Sequence, residues 1–247
     1  MNVETRIHTL PTRLGQVVRH VEPHPKTSLS DIILGGQDGL VNVLGVVLGV
    51  AAASNDLRLV VVAGLAAAFA ESISMGAVAY TTTLADRDFY LSEIEREKRE
   101  IRDLPDLERQ EIETIFAGWG FRGDLLRQAV EQVMKDERAW VDVMIHNELK
   151  LSPVASSTAL RSAFVVGVSA IVGSLIPLMP FFFLPIATGI VTAIVLAAAT
   201  LFGAGLYKAR ATVGHPGKSG LQMAVIGIVS ALAGYVVGLL FSAPPTP

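Results

Sequence analysis

The sequence contains no cysteine. Disulfides, thiolate nucleophiles and cysteine-held zinc or iron–sulfur sites are therefore excluded, and any metal must be held by oxygen, imidazole or thioether ligands. Basic residues are not in excess, with 20 Lys and Arg against 23 Asp and Glu, and no stripe of them is interleaved with aromatics, which make up 6% of the chain. Such a chain lacks the footprint of a nucleic-acid binder. No glycine-rich phosphate cradle follows a strand pattern and no nucleophile-and-base pattern stands out, which argues against an ATP-driven pump. About 30 polar residues precede the first apolar block, and no small-residue cleavage pattern follows it, so no removable signal peptide is expected.

What the chain does have is long hydrophobic blocks. Of its 247 residues, 51% are hydrophobic. A helix needs roughly 20 apolar residues to cross a hydrocarbon core of about 30 Å. Five stretches qualify: 31 to 54, 57 to 84, 156 to 178, 184 to 207 and 219 to 243. The expected fold is an all-α membrane protein with five transmembrane helices. Basic residues favour the cytoplasmic side. They cluster before span one (Arg6, Arg13, Arg19, Lys26), between spans two and three (eleven from Arg87 to Lys150) and between spans four and five (Lys208, Arg210, Lys218). This distribution predicts a cytoplasmic N-terminus and an external C-terminus.

The expected organisation is a cytoplasmic N-terminal segment 1–30, transmembrane helices 1 and 2 over 31–84, a cytoplasmic helical domain over 85–152, and transmembrane helices 3 to 5 over 153–247. Ser54-Asn55-Asp56 marks a tight hairpin between the first two spans. Span two has no breaker after Leu84 and can run on into "DRDFYLSEIEREKREIRDL" until Pro105. Gly118, Gly120 and Gly123 then separate "PDLERQEIETIFA" from a third region, "DLLRQAVEQVMKDERAWVDVMIHNELKL". The domain is thus read as three helices.

Only two acids lie well inside the spans, Asp38 and Glu71. A carboxylate in hydrocarbon costs several kcal/mol and ordinarily marks an ion or proton path. The bland alternative for Asp38 is a cap near the interface, since it lies only two turns into the expected span. Met75 follows Glu71 by four positions, and Asn42 follows Asp38 by four, so each pair shares a helix face. Carboxylate, amide and thioether together suit a first-row cation such as Fe²⁺ better than Mg²⁺ or Ca²⁺. Gly35, Gly39, Gly45 and Gly49 permit close helix approach, within one protomer or across a dimer.

Seventeen of the 23 acids fall in 85–152. Glu97 with Glu100, and Glu108 with Glu111, are each spaced i,i+3 on one helix face, and Pro105 lies between the pairs. Glu148 follows Met144 by four positions. By spacing alone these acids are equally a solvated face laced with ion pairs, since Arg and Lys alternate with them. His8, His20, His24, His146 and His215 show no convincing ligand spacing, and Pro23 interrupts the His20 to His24 pair.

The segments "GGQDGLVNVLGVVLGV", "ESISMGAVAY", "EREKREIRDLPDLERQEIE" and "WVDVMIHNELKLSP" together resemble the vacuolar iron transporter family of divalent-metal/proton antiporters. The resemblance implies a homodimer with five spans per protomer and a cytoplasmic metal-binding domain. It puts the transport site at Asp38 and Met75; Glu71 and Asn42 are added as path residues by the helix faces they share with these two, not by the resemblance. It puts a metal-loading site at Glu97, Glu100, Glu108, Glu111, Met144 and Glu148. No cofactor is implied as permanently bound; divalent ions (Fe²⁺, with Mn²⁺, Zn²⁺ and Co²⁺ as alternatives) are substrate, and the partners are protons, membrane lipid and a second copy. The location implied is a plasma membrane in a prokaryote or a vacuolar membrane in a eukaryote.

Two positions depart from the family pattern. Many members carry Gly-Glu shortly after the methionine of span two, where this chain reads Gly76-Ala77, and a second methionine can follow the first where this chain has Ile145. Other readings open at this stage are a manganese-selective exporter, a proton-independent metal channel, and a membrane-anchored sensor or interaction protein.

Overall fold

The computed structural model describes residues 27–54 and 56–241. Most of the expected N-terminal segment, with His8, His20 and His24, lies outside the described residues. Among the described residues eight α-helices follow in order: α1 (Thr27–Ala53), α2 (Leu57–Asp103), α3 (Pro105–Gly118), α4 (Gly123–Met134), α5 (Glu137–Val143), α6 (Ser156–Leu178), α7 (Ile186–Ala211) and α8 (Pro216–Leu240). A π-turn (Met144–Glu148) extends α5 and a 3-10 turn (Met179–Phe182) extends α6. Among the described residues there is no strand. Five helices, α1, α2, α6, α7 and α8, are long and apolar enough to cross a membrane.

α1 is the hub, touching α2, α6, α7 and α8. Its Leu40, Val43, Leu44, Val47 and Leu48 are buried among them. Because lipid tails are as apolar as leucine, such a bundle is held by close van der Waals packing more than by a solvent-driven effect. The glycines of α1 supply that closeness on two sides. A Cβ on Gly35 would strike the Val166 carbonyl of α6, and one on Gly39 would strike that of Ala170 and approach Ser174 Oγ to 2.7 Å. Further along, Gly45 and Gly49 lie against Gly234 and Gly238 of α8. These patterns therefore serve packing within the protomer. Ser72 Oγ on α2 donates to Gly167 O on α6 at 2.7 Å and ties the second span into the same bundle.

The first hairpin is closed by Asp56, whose carboxylate accepts from the N–H of Arg58 (2.9 Å) and Leu59 (3.4 Å) and so caps α2. From there α2 runs unbroken for 47 residues, about 70 Å at 1.5 Å per residue. It leaves the apolar bundle and enters a second core, formed by Ile101, Ile112, Phe116, Val130, Trp140, Val141, Met144 and Ile145. Ile112 and Met144 are fully buried there, each contributing roughly 1.5–3 kcal/mol.

The turn from α2 to α3 uses Leu104, whose N–H donates to Glu100 O (2.7 Å) while its carbonyl accepts from Leu107 and Glu108. Pro105 starts α3, where its missing N–H leaves nothing unpaired. The α3 to α4 loop needs positive φ at Gly120 (+100°) and Gly123 (+56°), which explains the glycines found there.

One expectation is corrected. The third region of the insert is not a single helix: it breaks after Met134, and Asp136 caps α5 by accepting from Arg138 N at 3.0 Å. An aspartate cap can restart a helix without glycine or proline, so nothing in the hydrophobic pattern marked the break.

Candidate functional site

Two groups of polar side chains stand out, one inside the apolar bundle and one in the insert. In the bundle, Glu71 of α2 is within hydrogen-bonding reach of the side chains of Asp38 and Asn42 on α1. The hairpin explains the match. Asp38 precedes Ala53, the end of α1, by 15 residues, and Glu71 follows Leu57, the start of α2, by 14. At 1.5 Å per residue both lie roughly 21–22 Å from the hairpin, at one level.

α1 starts at Thr27, so Asp38 lies about three turns into the helix and not at its cap. It opens into a cleft of about 250 Å³ lined by Ser30, Ile33, Leu34 and Gln37, which leads toward the start of α1. Asp38 and Glu71 are half-buried and Asn42 is exposed on the outer face of the bundle. Met75, also half-buried, stands one turn beyond Glu71 along α2.

In the insert, the α2 to α3 turn folds the two glutamate pairs together. Carboxylate oxygens of Glu97, Glu100 and Glu108 lie within 4.8 Å of one another. Glu97 and Glu108 are each only 2% exposed, and the Oε2 atom of each is buried with no hydrogen-bond partner. Buried acceptors left unpaired are costly, and a proton or a cation at these oxygens would relieve that cost. Glu111 and Glu148 extend the group and share a side-chain hydrogen bond. Glu148 sits at the exposed rim, on the π-turn that follows α5. Met144, at the start of that turn, is fully buried. His146 faces away, its Nδ1 2.9 Å from Asp142 O.

The crowding shifts the carboxyls. Burial first, then the negative charge of Glu148, pushes Glu97 up to about 7. Burial first, then Glu111, pushes Glu108 up to about 7. Glu148 is also raised, by burial and by Glu111. The ion pairs expected along these two helices do exist, mostly at acids outside the cluster: Lys98 pairs with Glu95 (2.7 Å) and Arg96 with Glu93 (2.7 Å) on α2, and Arg109 with Glu113 (3.1 Å) on α3. Among the described residues no ion pair reaches Glu100, Glu108, Glu111 or Glu148. Among the described residues Arg96 is the one cation to enter the cluster, 3.3 Å from Glu97 Oε1, and sequence reading missed it because it looks no different from Lys98 or Arg99.

Five long apolar helices, with a polar cluster between the first two, define an all-α integral membrane protein. Comparison with known proteins narrows this. A profile described as the VIT family matches residues 29–239, and the chain belongs to that family. Vacuolar iron transporter 1 of Tulipa gesneriana is 33% identical over 230 residues, covering 92% of this chain and 93% of its own. The protein of the same name from Arabidopsis thaliana is 31% identical over 234 residues, 94% of each chain. Protein CCC1 of Saccharomyces cerevisiae is 29% identical over 216 residues, 84% of this chain and 67% of its own.

Proposed function

We propose that this chain is a secondary transporter that removes divalent metal, Fe²⁺ first among candidates, from the cytoplasm in exchange for protons. One observation carries the reading: Glu97 and Glu108 hold buried, unpaired carboxylate oxygens beside Glu100, on a structure whose longest helix also carries Glu71 opposite Asp38. The names of the relatives, vacuolar iron transporters, support iron as the substrate.

In this reading the insert is cytoplasmic, as its eleven basic residues favour. Glu97, Glu100, Glu108, Glu111 and Glu148, with the Met144 thioether, collect the ion from solution. Asp38, Glu71 and Asn42, with Met75, receive it within the spans through the cleft at Asp38. Exchange needs no nucleotide. Protons and metal compete for the same carboxylate oxygens, so a proton arriving from outside releases the ion and a metal arriving from inside releases the proton.

A homodimer completes the path. Exposed Asn42 beside half-buried Asp38 and Glu71 would otherwise face lipid, where unpaired polar groups cost several kcal/mol. A second copy laid on this face covers it. The host membrane is the vacuolar or the plasma membrane according to the cell.

Reconstituted liposomes holding metal-sensitive and pH-sensitive dyes test the whole reading. Fe²⁺ entry accelerated by an opposing pH gradient, with matching proton movement, is expected; flux indifferent to the gradient overturns the exchange.

A further inference from the structure

Arg96 stands where a cation belongs. Of the basic side chains paired along α2 and α3, Lys98 and Arg109 turn to acids outside the cluster. The Arg96 guanidinium instead uses a single nitrogen, Nη2, for two carboxylates: Glu93 Oε2 at 2.7 Å and Glu97 Oε1 at 3.3 Å. Its Nε is buried with no acceptor, and the second Glu97 oxygen is buried with no donor. An arginine fixed for structure commonly uses its fork in two parallel bonds to one carboxylate. Here one nitrogen is shared between two acids, the shorter bond going to the acid outside the cluster and the longer one to a member of it.

We propose that Arg96 is a resident counter-cation of the glutamate cluster, displaced from Glu97 by an arriving divalent ion and then held by Glu93 alone. The inference rests on the loading reading given above and adds a control to it. Without metal, Arg96 offsets part of the repulsion among the five glutamates. With metal, its positive charge lies beside the ion and opposes it, so the site binds more weakly than its carboxylates alone would allow and can pass the ion on. Glu93 contributes no ligand, yet it sets the affinity by drawing the guanidinium away.

The two residues therefore act in opposite directions, which a merely structural pair would not do. The test is Zn²⁺ titration calorimetry on the full-length protein in detergent at pH 8, with the binding step lost in Glu108→Gln taken as that of the cluster. Arg96→Gln is expected to tighten that step at least tenfold. Glu93→Gln is expected to weaken it several-fold, and Arg96→Lys to stay near the unmodified chain. Equal or weaker binding in Arg96→Gln, or no change in Glu93→Gln, overturns the proposal; should Arg96→Gln not fold, Glu93→Gln alone decides. If the unmodified chain shows no step that Glu108→Gln removes, the loading reading itself falls and takes this control with it.

Discussion

Glu71 meets Asp38 across the first helical hairpin, two carboxyls on neighbouring helices at the same distance from the turn that joins them. Two negative charges this close in an apolar bundle would repel each other. A divalent cation or a proton resolves the conflict. Replacing Asp38 with Asn is expected to reduce metal flux at least tenfold in liposomes. Glu71→Gln is expected to leave residual flux that no longer responds to an imposed pH gradient.

Metal loading should follow the carboxyls of the insert. Glu97 and Glu108 are each pushed up to about 7, and only the ionised forms bind metal. Affinity for Zn²⁺, measured on the full chain, is expected to rise steeply from pH 6 toward pH 8 and to flatten beyond.

Stability without metal should run the other way. A carboxyl raised from 4.5 to about 7 by folding favours the folded state fully below 4.5, and that contribution is lost as pH rises through 7. Metal-free protein is therefore expected to melt at a higher temperature at pH 5 than at pH 8. Added Zn²⁺ should erase the difference by stabilising the pH 8 sample.

The glycine contacts of α1 predict a sharp positional contrast. Gly39→Ala drives a methyl into the Ala170 carbonyl and Ser174 Oγ of α6, an overpacking that costs about 1–3 kcal/mol. Gly203→Ala on α7 meets nothing within 4 Å. Thermal unfolding in detergent is expected to show a loss of several degrees for the first and none for the second.

The absence of cysteine makes the proposed dimer directly testable, since any introduced thiol is unique. Asn42→Cys, on the polar outer face of α1, is expected to crosslink with its own copy under mild oxidation. Val195→Cys, on an α7 surface that is 63% exposed, should stay monomeric.

Much of this architecture is legible in the chain itself. Apolar runs mark the five long helices because membrane length and helical rise leave little freedom. The absence of a breaker after Leu84 foretells the long α2, and the spacing about Pro105 foretells the opposed glutamate pairs. What is not legible depends on tertiary choice. The Asp136 cap looks like any surface aspartate until the chain turns there. The π-turn at Met144–Glu148 has no local composition signal, and the inward turn of Arg96 is decided by which face of α2 the third helix covers. The glycines of α1 could have served a dimer or the protomer; only the positions of α6 and α8 decide for the protomer.

The unbroken α2 also fixes a phase. From Glu71 to Glu100 is 29 residues, which at 3.6 residues per turn is about eight complete revolutions with some 20° left over. The intramembrane acid and an acid of the insert thus point from nearly the same side of one rod, roughly 43 Å apart along its axis. Because a single inserted or deleted residue between them would swing one about 100° away from the other, this stretch keeps count, and its length is as much a part of the site as its glutamates.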